Sequence, residues 1–129
     1  MTRVEIEVEV AVNPTESVEK VERAVMNVLG GIDLKQTVHG EGSVLRARLE
    51  GVEFLRHLKA LLGRMRIRDA ALAYLTRRIR GDVLRFELNK QAAYAGHASF
   101  YRPREALLGP IQITIKGDVE GVVRYLCER

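Results

Sequence analysis

The chain has 129 residues, 47% hydrophobic and 29% charged, enough for one domain with its own core. No stretch approaches the roughly 18 uncharged apolar residues of a membrane-spanning helix, and the single cysteine, Cys127, excludes an internal disulfide and fits a reducing cytoplasm. The net charge of +4 is unevenly placed: residues 1–55 hold 6 basic and 10 acidic side chains, residues 56–80 hold 8 and 1, and residues 81–129 hold 7 and 6, so one short block carries the positive excess and would attract polyanions.

In chain order, Met1-Thr2-Arg3 leads straight into alternating Val and Glu, so no secretory signal is expected. Val4, Ile6, Val8, Val10 and Val12 alternate with Glu5, Glu7 and Glu9, the period of a strand with one wet face. The glutamate row discourages edge pairing; a metal site would need ligands converging from other elements, and no metal is expected. Asn13-Pro14-Thr15-Glu16 ends the strand and opens a helix over 16–29, with Asn or Thr able to cap it and Val18, Val21, Val25 and Val28 as its buried stripe. Gly30-Gly31 stops that helix and lacks the Lys and Ser or Thr of a phosphate loop.

Strands are expected over 32–39 and 44–50, joined by Gly40-Glu41-Gly42, with His39 an exposed polar residue beside the turn. A helix over 53–62 buries Phe54, Leu55, Leu58, Leu61 and Leu62, turns Lys59 to solvent and breaks at Gly63. A second helix, 66–79, turns Ile67, Ala70, Ala71, Tyr74 and Leu75 inward. At 100° per residue, Arg66, Asp69, Ala73, Thr76, Arg77 and Arg80 fall opposite, a basic face able to grip successive phosphates. Arg78 falls nearer the apolar side and joins the phosphate-contacting set. Gly81-Asp82 turns the chain into a strand over 82–88, a further strand covers 111–116, and a closing helix over 118–127 repeats Val119, Val122, Val123 and Leu126.

Between those last strands lies an unusually long connection. Asn89 is placed to cap a short helical turn through Ala92, Ala93 and Ala95, ended by Gly96. Lys90, Gln91, Tyr94 and His97 are left as hydrogen-bonding groups, and Phe100, Tyr101, Arg102 and Arg104 mix rings with guanidiniums, a combination suited to unpaired bases and phosphates or to a protein interface. No base stands at a recognisable spacing from Ser99, His97 or Cys127, so no catalytic residues and no cofactor are expected.

The strings Asn13-Pro14-Thr15-Glu16, Asp69-Ala70-Ala71, Phe86-Glu87-Leu88-Asn89-Lys90-Gln91-Ala92-Ala93 and Leu108-Gly109-Pro110-Ile111 resemble those of a family of small archaeal proteins catalogued as predicted RNA-binding or exosome-associated. The resemblance covers nearly the whole chain. It implies a fold similar to the large-subunit ribosomal protein that holds five-S rRNA, homodimers and a place beside an RNA-processing complex.

The expectation is therefore a single α+β domain, a mixed, mostly antiparallel sheet of about five strands with helices chiefly on one face. Its function is read as non-catalytic RNA association, with Arg66, Arg77, Arg78 and Arg80 on phosphates and Asn89, Lys90, Gln91 and His97 making closer contacts. The alternative is a protein-interaction or dimeric module, with the central connection as its interface.

Overall fold

The computed structural model describes residues 3–102 and 108–128. Its first strand, β1 (Val4–Val12), is central: the even positions are buried and the odd ones face out. A helix α1 (Val18–Leu29) follows, then a hairpin of β2 (Lys35–His39) and β3 (Gly42–Glu50). A 3-10 turn, Val52–Leu55, leads into α2 (Arg56–Arg64) and α3 (Arg68–Arg77), and a small hairpin joins β4 (Ile79–Arg80) to β5 (Val83–Asn89). The chain ends with α4 (Lys90–Tyr94), β6 (Pro110–Gly117) and α5 (Val119–Cys127).

The sheet order is β2-β3-β1-β6-β5-β4 and every neighbouring pair is antiparallel. Val8 sits between Ala47 and Ile113, and Glu7 between Arg48 and Thr114. That register puts Ile6, Val8, Val10, Leu45, Ala47, Leu84, Phe86, Leu88, Ile111, Ile113 and Ile115 on one buried face, because side chains alternate with a period of two. Against it pack Val21, Val25 and Val28 of α1, Leu58, Leu61 and Leu62 of α2, Ala71 and Leu75 of α3, and Val119, Val122 and Leu126 of α5, in one cluster. No helix among the described residues is long and apolar enough to cross a membrane.

The α+β class and one-sided helical layer are those expected, with six strands rather than five and a wholly antiparallel rather than mixed sheet. The additional strand comes from the end of the expected helix 66–79. Gly81, at φ 62°, and Asp82 form a two-residue turn that pairs Ile79 with Leu84 and Arg80 with Val83, and this sheet pairing ends α3 at Arg77. Gly63 does not break α2, which runs on to Arg64. Ser17, not Asn13 or Thr15, caps α1, accepting from the Lys20 amide at 3.4 Å; Asn13 is engaged elsewhere.

Candidate nucleic-acid interface

Three of the strings singled out above meet at one point inside the molecule. Asn89 caps α4, its Oδ1 accepting from the Ala92 amide at 3.0 Å, which turns the next residue, Lys90, inward until none of it is exposed. Its ammonium donates to Ala11 O at 2.7 Å, Glu16 Oε1 at 2.9 Å and Leu108 O at 3.0 Å, so all three of its donors are used. Glu16 Oε1 also accepts from the Asn13 amide at 3.1 Å and Asn13 Nδ2 at 2.6 Å, and Oε2 accepts from the Tyr94 hydroxyl at 3.1 Å. Burial works to raise the Glu16 pKa, but the bond to Lys90, the Asn13 amide, the Lys90 charge and Tyr94 together hold it below its ordinary value. Burial, the bond to Glu16 and its charge push the Tyr94 phenol up to about 12. Lys90 is thus an internal cation joining the end of β1, the start of α1 and the approach to β6, and the expectation that it touches RNA is corrected.

After α4 the chain returns beside β5. Asn89 donates its amide to Ser99 O at 2.7 Å, Tyr101 donates to Glu87 O at 2.9 Å, and Leu88 bridges Phe100. β4 covers the other half of the same edge. Between the two, Arg78 Nε donates to Arg85 O at 2.8 Å, its guanidinium 5.2 Å from the Tyr74 ring centre and 4.0 Å from Glu87. Arg78 Nε closes a gap in the sheet edge while the side chain stays 39% exposed, so this member of the expected phosphate set also has a structural role. Phe100 stacks on Tyr74 at 4.0 Å and meets Phe86 edge-on at 6.3 Å, so its ring is already occupied. Arg104 lies outside the described residues.

The structure leaves Arg66, Arg77, Arg80, Gln91 and His97 exposed, with Asn89 half-buried in its capping role. They fall into two groups on the helical layer. Ala98 donates its amide to Met65 Sδ at 3.2 Å, which brings the α2–α3 turn, and with it Arg66, beside the segment holding His97. Arg77 and Arg80 lie at the far end of α3, about 15 Å away by helical rise, where Arg80 Nη1 caps Arg77 O at 2.8 Å and Ile79 O at 2.9 Å. Exposed Arg56 and Arg64 extend the same layer. The charge count contained both, but neither lies on the face traced through α3. Lys59 is not a free surface cation: its ammonium caps α5 through Tyr125 O and Glu128 O at 2.5 and 2.6 Å.

Arg66 alone among the described non-glycine residues has positive φ, 58°, a conformation costing an L residue roughly 1 to 2 kcal/mol. Arg66→Gly should therefore leave chemical-denaturation stability unchanged or raise it by up to about 1 kcal/mol, the relief being offset by glycine's unfolded-state entropy. A loss of stability would mean that the Arg66 side chain packs usefully.

The open face of the sheet behaves differently. Glu9 pairs with Arg46 at 2.6 Å and Glu7 with Arg48 at 2.9 Å, so its charges largely neutralise one another. No group of three His, Cys, Asp or Glu among the described residues is placed to hold a metal ion.

Known proteins are similar to this chain in sequence and in fold. A family model described as RNA binding matches residues 5–117. A UPF0201 protein of Sulfurisphaera tokodaii is 40% identical over 128 residues, covering 98% of this chain and 87% of that one, and one of Thermococcus onnurineus is 34% identical over 126 residues, covering 97% and 92%. The crystal structure of a UPF0201 protein from Methanococcus jannaschii, 26% identical, superposes with a TM-score of 0.84 over 95% of this chain and 98% of that one. The chain therefore belongs to this RNA-binding family, together with the archaeal UPF0201 proteins that it matches over nearly its whole length.

Proposed function

We propose that the protein is a non-catalytic RNA-associated module, an accessory to RNA processing or translation, which holds RNA by its phosphates on the outer side of the helical layer. One observation carries this reading: across residues 56–80 eight cations face a single acid, and Arg56, Arg64, Arg66 and Arg77 are exposed with no ion-pair partner among the described residues. On the open sheet face, by contrast, Arg46 and Arg48 are matched to Glu9 and Glu7. The uncompensated field therefore lies on the helices, where guanidiniums can meet phosphate oxygens two at a time. With Phe100 stacked inside, grip on the backbone takes precedence over base stacking, which favours folded RNA recognised by shape. Gln91 and His97 supply the closer polar contacts.

Fluorescence polarisation with random-sequence RNA, from 50 to 300 mM salt, tests the proposal. Affinity should fall linearly on logarithmic axes with a slope of roughly −0.7 to −0.9 per phosphate held. Absence of binding at 50 mM salt overturns it.

A further inference from the structure

Arg68 differs from the other guanidiniums of the helical layer. Its Nε is shielded from solvent and has no hydrogen-bond partner among the described residues, and no acid there lies in ion-pair contact with it. The group lies flat against Gly63 of α2, where a Cβ would run into Nη2 and Cζ, so glycine makes the room it occupies. With Gly63, Arg66 and Asp69 it walls an open depression of about 350 Å³ at the α2–α3 turn. A shielded donor with no acceptor costs the desolvation of that group, and folded proteins almost always satisfy such donors. The backbone beside it is uncapped: Ile67 provides no side-chain cap for α3, and the first intrahelical bond runs from the Ala71 amide to Ile67 O. The amides of Arg68, Asp69 and Ala70 therefore have no acceptor within their helix. Asp69 is the one negative group in the wall, and two guanidiniums outnumber it.

The geometry points to a phosphate-binding site at this turn, in which Arg68 and Arg66 hold a phosphate group of an RNA strand. The inference rests on the RNA reading and deepens it, because it fixes where one phosphate is held and assigns that contact to Arg68 and Gly63. Gly63→Ala pushes the guanidinium out of place while favouring the helix around it, since alanine is the better helix former. Arg68→Met removes a guanidinium whose shielded Nε has no acceptor among the described residues, so it should leave the melting temperature unchanged or raised.

Two readouts on the intact chain test it: RNA affinity by polarisation at 100 mM salt, and NMR shifts of the Arg68 Nε–H and the amides of residues 68–70 with RNA or inorganic phosphate. RNA should move those signals, and both variants should lose about tenfold or more in affinity, the effect of one charge-assisted bond, without loss of thermal stability. If the wild-type chain binds RNA and both variants bind it equally well, the pocket is overturned and the RNA reading stands. Signals that answer inorganic phosphate but not bound RNA overturn the strand phosphate and assign the pocket to a free one. No RNA binding by the wild-type chain overturns both readings. Arg68→Met that unfolds the chain, with Gly63→Ala still binding normally, overturns the pocket and makes Arg68 structural.

Discussion

Lys90→Met should destabilise the fold by about 3 to 5 kcal/mol, the usual cost of removing one partner from a buried ion pair, read from the midpoint of urea unfolding. The methionine fills most of the space but leaves Glu16, whose side chain is 6% exposed, facing Ala11 O and Leu108 O without the cation that joined them. Ala11 O loses this donor at the same stroke, and Leu108 O keeps only Asn13 Nδ2 at 3.3 Å. A second substitution, Glu16→Leu, should return only part of the loss: it removes the unpaired buried carboxylate, but the Asn13 amide, Asn13 Nδ2 and the Tyr94 hydroxyl lose their acceptor.

The pH dependence separates this account from a simple packing defect. In the wild-type chain the folded pKa of Glu16 lies below its ordinary 4.5, so its contribution is complete above that value and fades as pH falls through the folded one. Without Lys90, burial is left with weaker opposition and should raise the folded pKa instead. The sign then inverts: the variant's deficit should be greatest near neutral pH and shrink on acidification toward pH 4. A deficit that stays constant across that range would assign Lys90 to packing alone.

This cluster also marks where reading the chain stops. The alternation of Val4 to Val12 and the repeat of Val119, Val122, Val123 and Leu126 give period and face directly, and both elements stand where those patterns put them. The Asn89 cap was equally legible, being local chemistry between residues three apart. Lys90 was not, because α4 has only five residues, too few for a 3.6-residue period to show which way a side chain points. Its partner Glu16 lies 74 positions away. The strings at 13–16, 88–93 and 108–111 carry the family resemblance and only Asn89 to Gln91 among them read as surface contacts, yet the three meet inside, where Lys90 and Asn13 Nδ2 both hold Leu108 O. The structural role of Arg78 was hidden for a related reason: its acceptor, Arg85 O, is a gap in a sheet edge that exists only once β4 and the bridge at Phe100 have formed. Charge, by contrast, adds up without knowledge of partners, so the basic block 56–80 could be read from the chain, while the pairing of sheet arginines with glutamates needed the register.

Changing Arg66, Arg77 and Arg80 together to glutamine should lower RNA affinity by roughly 500-fold at 50 mM salt and by very little near 1 M. The size follows from counterion release: at about 0.7 per phosphate, three lost contacts flatten the logarithmic salt slope by about 2, which at 50 mM amounts to nearly three decades. The matched control changes Lys35, Arg46 and Arg48 to glutamine, the same loss of three charges from the open sheet face. Arg46 and Arg48 are neutralised by Glu9 and Glu7, and screening confines the reach of a surface charge to about 10 Å at 0.1 M salt. The control should therefore keep nearly the wild-type slope. Equal losses in the two triple variants would mean that RNA responds only to total charge, and the helical layer would lose its claim to be the interface. A loss confined to the sheet variant would move the interface to the open face, where the paired glutamates would have to be displaced first.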